Sequence, residues 1–150
     1  MGTEHSGWTR AGERPSWDYD AFVSYRGEHA ERTARLIRTA LLNLGKRHRP
    51  QWERRIFVDR LALKVGDIDA RAVEPLVASR TLVVVLDGDT ANSLWVDEEI
   101  ETWLWTTGAT DRLFLISCSR DLNLTWVNGR FAREDQVPPA LHMAFDREPR

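Results

Sequence analysis

The run Thr81-Leu82-Val83-Val84-Val85-Leu86 constrains the fold of this chain more than any other stretch. Its last five residues are apolar without interruption, which predicts a strand covered on both faces, as in a parallel sheet sandwiched between helices. Three shorter runs fit beside it: Ala21-Phe22-Val23, Arg55-Ile56-Phe57-Val58 and Leu113-Phe114-Leu115-Ile116. Between the first two, Ala30, Ala34, Ile37, Leu41 and Leu44 recur at helical spacing from Glu28 to Leu44, and Gly45 is predicted to stop that helix. A loop around Gly66, from Arg60 to Asp67, leads to a helical segment ending near Ser79, in which Pro75 either kinks the helix or marks its first turn. Ser93 is the predicted N-cap of a helix reaching about Trp105, and Pro138-Pro139-Ala140-Leu141-His142 predicts a short late helix. Strands alternating with helices over short connections imply right-handed crossovers and a doubly wound parallel sheet.

In that architecture ligands bind beyond the carboxyl ends of the strands. Here those ends carry Ser24-Tyr25-Arg26, Asp59-Arg60 and Asp87-Gly88-Asp89. On the helix after Ser93, the positions Val96, Ile100, Trp103 and Leu104 form the stripe facing the sheet. Trp95 and Glu99, four residues apart, share the flank of that stripe, while Glu98 and Glu101 point toward solvent. Geometry alone favours a solvated acidic face made of Asp97, Glu98, Glu99 and Glu101, which suits the helix dipole near an N-terminus.

Composition narrows the classes. A 150-residue chain with 42% hydrophobic and 29% charged residues fits one globular domain. Residues 1–16, polar and without periodicity, are predicted to be a flexible lead-in to a domain over 17–150, with Trp8 as the one oddity, a candidate to dock on that domain. A net charge of -2 offers no electrostatic case for nucleic acid or an anionic membrane. Cys118 is the single cysteine, so an internal disulfide is impossible and a Cys-based zinc site has no support; its place after an apolar run predicts a buried, inert thiol. With no spanning apolar segment and no signal-peptide core, the expected setting is cytoplasmic. No metal site is predicted.

Four motifs in order carry a resemblance. Tyr19-Asp20-Ala21-Phe22-Val23-Ser24-Tyr25-Arg26 resembles the opening strand of TIR (Toll/interleukin-1 receptor) domains. Ile56-Phe57-Val58-Asp59 with its Gly-containing loop, Ala78-Ser79-Arg80 before an apolar strand, and Ser93-Leu94-Trp95-Val96-Asp97-Glu98-Glu99-Ile100 are similar to the family's later motifs. The likeness extends from Trp17 to Phe145 and points to bacterial TIR domains at the N-terminus of larger STAND or WD-repeat proteins. It implies a flavodoxin-like, doubly wound parallel sheet of four to five strands flanked by helices. Members of that kind continue past the Glu-Pro-Arg region into a fifth, edge strand, which this chain is expected to lack.

For function, the resemblance implies an NAD+ glycohydrolase in which Glu99 breaks the nicotinamide–ribose bond, giving ADP-ribose or a cyclic product. NAD+ is then a substrate, and no cofactor is expected. Trp95 packs on nicotinamide or ribose, or else simply on the core. Arg26 pairs with a diphosphate oxygen, or else sits in a surface ion pair. Ser24 and Tyr25 shape the pocket floor, and Asp59 and Arg60, further substrate-binding candidates, open a loop that in this family often covers the pocket of a neighbouring subunit. That loop, with Leu61, Leu63, Lys64, Val65 and Gly66, is the candidate for homotypic assembly with other TIR domains, although its apolar residues could equally fold onto their own domain. Antiphage defence and a C-terminal sensor or oligomerisation region are further implications of the resemblance.

Other chemistries fit less well. A dehydrogenase needs a Gly-rich turn after the first strand, and Ser24-Tyr25-Arg26-Gly27 is not one. A phospho-receiver needs an acidic pair there to hold magnesium. No G-x-S-x-G occurs, and His5, His29, His48 and His142 are all expected away from strand ends, against a hydrolase triad. The alternative that survives is a non-catalytic TIR module that mediates protein–protein signalling, although such adaptors commonly lack the Trp-to-Glu spacing.

Overall fold

A computed structural model describes residues 17–48, 55–58 and 70–145. Four strands, β1 (Ala21–Ser24), β2 (Ile56–Val58), β3 (Leu82–Leu86) and β4 (Leu113–Ser117), form one sheet in the order β2-β1-β3-β4. Every pairing in it is parallel, with Val23 opposite Val58 on one side and Val83 on the other. The apolar run that predicted a doubly covered strand is β3, and all five of its residues are buried.

Alternation along the strands divides the core in two. Phe22, Leu82, Val84 and Leu86 face one way, against Leu76 of α2 (Ala70–Val77) and Val96, Ile100 and Trp103 of α3 (Leu94–Thr107). Val23, Val83 and Val85 face the other way, against Ala30 and Ala34 of α1 (Gly27–His48). The period of two in the strands and of about 3.6 in the helices puts each side chain in its layer. The expected α3 stripe is confirmed: Val96, Ile100 and Trp103 are fully buried and Leu104 packs at their edge.

Several boundaries differ from expectation. α1 does not stop at Gly45 but continues to His48. Gly45 is buried inside the helix, and Lys46, Arg47 and His48 in the last turn favour the negative end of the dipole, which offsets the weak helix propensity of glycine. Pro75 lies within α2, whose following turn is closed by the Ser79 hydroxyl donating to the Pro75 carbonyl at 2.6 Å. α3 begins on the predicted cap, the Ser93 hydroxyl accepting from the Val96 amide at 3.3 Å, and ends two residues beyond Trp105 at Thr107, capped by Gly108 in the left-handed conformation. The late helix is a single 3₁₀ turn, Pro139–Leu141.

A two-stranded antiparallel hairpin, β5 (Trp126–Val127) and β6 (Arg130–Phe131), was not anticipated. Asn128 and Gly129 between them both have positive φ, the two-residue turn that an Asn-Gly pair favours. Among the described residues the parallel sheet has β4 at one edge. Cys118 is half-buried rather than enclosed; burial raises its thiol pKa above the ordinary value, and the Asp87 carboxylate adds to the effect. His29 does lie beside a strand end, its ring nitrogen 3.1 Å from the Cys118 carbonyl just after β4. The sequence places it on α1, and only packing of α1 along the sheet brings it there.

Candidate active site

The carboxyl end of β1 and the first turns of α3 meet around one carboxylate. Ser24 follows Phe22 on the α3 face of the sheet and is fully buried. Its hydroxyl donates to Glu99 Oε2 across 75 residues of sequence. Trp95, one helical turn before Glu99, donates its indole N–H to Oε1 at 2.9 Å. Glu99 is only 6% exposed. A carboxylate this buried needs donors on its oxygens, because removing a charge from water is otherwise expensive. Among the described residues no buried side-chain nitrogen or oxygen lacks a partner.

The remaining carboxylates of the acidic cluster behave differently. Glu98 and Glu101 are exposed, and Asp97 accepts from the Ala140 amide at 2.7 Å, tying α3 to the late 3₁₀ turn. The group is therefore not a uniform solvated face. Arg26, exposed just past β1, donates to the capping hydroxyl of Ser93 at 3.4 Å. A guanidinium and a helix N-terminus thus lie on the rim beside Glu99, both suited to an anionic group.

Ser24, Arg26, Trp95 and Glu99 are thus brought together. Tyr25 is not: one residue on from Ser24, it turns to the opposite face and packs with the α1 layer. Asp59, Arg60, Leu61, Leu63, Lys64, Val65 and Gly66 lie outside the described residues. At the end of β3, buried Asp87 holds its own turn: Oδ1 accepts from the Asp89 and Thr90 amides, each at 3.0 Å, and from the Thr90 hydroxyl at 2.8 Å. The sequence reading missed the Ser24–Glu99 pairing, and no local pattern signals a contact between residues so far apart. A groove of about 610 Å³ lies at the amino ends of the strands, between α1 and the sheet, and shares no lining residue with the Glu99 site. Among the described residues no three His, Cys, Asp or Glu side chains are placed to hold a metal ion, and no helix is long and apolar enough to cross a membrane.

Fold and site together define a class: a flavodoxin-like, doubly wound α/β domain that presents a buried carboxylate beside an indole at the carboxyl end of its sheet. No family model matches the chain. It is similar to the Actinoplanes protein named NAD(+) hydrolase ApTIR, at 33% identity over 140 residues, covering 88% of this chain. This chain spans 19% of that relative's length. It is also similar to the TIR domains in the structure of the activated Roq1 resistosome that directly recognizes the pathogen effector XopQ. That match has a TM-score of 0.50 and 28% identity, covering 67% of this chain and 56% of the other. The chain belongs to the TIR domains.

Proposed function

We propose that this domain is an NAD+ glycohydrolase that breaks the nicotinamide–ribose bond and that Glu99 carries the reaction. The observation behind the reading is the buried Glu99 carboxylate with donors on both oxygens at the strand ends. Nicotinamide is cationic in NAD+ and takes the bonding electron pair as it leaves neutral, so no general acid is required. The ribose left behind resembles an oxocarbenium ion, and one fixed carboxylate beside it lowers the barrier by electrostatic stabilisation. Water then adds to the anomeric carbon and releases a proton, giving ADP-ribose; attack by an adenine nitrogen gives a cyclic product instead. Arg26 and the Ser93-capped start of α3 bind the diphosphate, and Trp95 borders the nicotinamide side. The relative's name, NAD(+) hydrolase, supports the substrate.

Asp59 and Arg60 open a loop that, with Leu61, Leu63, Lys64, Val65 and Gly66, joins neighbouring copies into the active assembly. The setting is cytoplasmic antiphage defence, with a sensor or oligomerisation region elsewhere in a longer protein. A second reading, a non-catalytic signalling module, draws on Leu94 and Trp105, which are 79% and 92% exposed on α3 and available to a partner. Incubating purified protein with NAD+ while following free nicotinamide separates the two. Intact NAD+ at high protein concentration, with artificially clustered protein also silent, favours the signalling module.

A further inference from the structure

The Trp95 and Ser24 donors on Glu99 are not equivalent. Trp95 is half-buried on the rim, whereas Ser24 has no solvent exposure and sits beneath the carboxylate on β1. A substrate reaching Glu99 from solvent arrives on the Trp95 side, and the Ser24 hydroxyl is directed at Oε2. β1 is paired on both edges, by β2 and β3, and Ser24 at its end is opposite Val84, so the serine is carried by an interior strand of the sheet. Glu99, by contrast, is carried by α3, which rests on the sheet through the apolar side chains of Val96, Ile100 and Trp103. Apolar packing is non-directional and does not choose a carboxylate rotamer. A hydrogen bond does.

We propose that Ser24 is the positioning residue of this site: its buried hydroxyl locks the Glu99 carboxylate to the central strand and sets the face it presents to the ribose. Its role is distinct from contact with substrate. The inference rests on the glycohydrolase reading for its catalytic consequence but not for its structural one. Pre-organisation of this kind acts on the chemical step, because the carboxylate must already be oriented when positive charge develops on the sugar.

The test uses the full chain with Ser24→Ala, Ser24→Thr, Glu99→Ala and the Ser24→Ala/Glu99→Ala double variant. Ser24→Ala is expected to lower kcat by about tenfold to a hundredfold, the loss typical of a hydrogen bond to a charged group, with KM changed less than about threefold. Ser24→Thr keeps the hydroxyl and is expected to recover most of that loss. Ser24→Cys, close in size but a poor donor, replaces the alanine variant if that variant does not fold, with the same expectation. In urea unfolding, Ser24→Ala is expected to shift the midpoint less when Glu99 is already alanine, because the partner is gone. A normal kcat in Ser24→Ala, or a loss confined to KM, overturns the positioning role and leaves the glycohydrolase reading standing. Wild-type protein silent on NAD+ even when artificially clustered refutes that reading instead, and the unfolding cycle alone then decides: additive midpoint shifts overturn the lock.

Discussion

Replacing Trp95 by Phe separates two things the indole can do at this site. Phenylalanine keeps an aromatic face next to the substrate and removes only the N–H that reaches Glu99 Oε1 at 2.9 Å. A hydrogen bond to a charged acceptor contributes about 1.5–3 kcal/mol, and each 1.4 kcal/mol is about tenfold in rate. If that bond orients the carboxylate for the chemical step, Trp95→Phe lowers kcat by about tenfold to a hundredfold. Trp95→Ala falls further because it also loses the ring. The side chain is only half-buried, so the melting temperature of Trp95→Phe should change by no more than a few degrees. The assay is initial-rate nicotinamide release over a range of NAD+ concentrations, with thermal unfolding of the same preparations. Wild-type kcat in Trp95→Phe, together with a large loss in Trp95→Ala, would refute the orienting role and make the indole a stacking surface only.

Four further outcomes follow. Glu99→Gln should abolish NAD+ cleavage while Glu98→Ala, at an exposed position about 100° around the helix, stays near wild type; reversed behaviour would mean that Glu98 is the reacting carboxylate. Trp103→Ala should cost about 3–5 kcal/mol in chemical denaturation, since the indole is fully buried, and a loss below 1 kcal/mol would show that the core between sheet and α3 is looser than described. Ser93→Ala should cost about 1 kcal/mol through loss of the α3 cap, and KM for NAD+ should rise as Arg26 loses its anchor; an unchanged KM would remove Arg26 from the binding rim. For Cys118, burial holds the folded thiol protonated to higher pH than in the unfolded chain. Any stability from that shift is present below the unfolded pKa and fades as pH climbs through the folded one, and alkylation at pH 8 should be slower in native than in urea-unfolded protein. Equal rates would contradict it.

Much of this fold was legible from local pattern because local pattern follows backbone period. The run ending Val83-Val84-Val85-Leu86 could only be a strand covered on both sides, and β3 is fully buried. A spacing of four residues from Trp95 to Glu99 places them on one helix flank, and the 2.9 Å bond between them follows from that. The Asn128-Gly129 turn was equally visible in composition but sits between strands of two residues each, too short for alternation to register. Gly45 shows the reverse, a stop signal overridden where the glycine is buried and a basic last turn follows it.

What sequence by itself determined was the succession of strands and helices and the helix face that carries Glu99, since both depend on neighbours within a few positions. Tertiary structure alone decided how deeply Glu99 would be buried and what would hold it from across the fold. Asp97 went to the Ala140 amide, Glu98 and Glu101 to solvent, and Glu99 to Ser24. The physical reason is distance along the chain: 75 residues separate the serine from the carboxylate it bonds. Only the parallel pairing of β1 with β3, and the packing of α3 over that face, closes the gap.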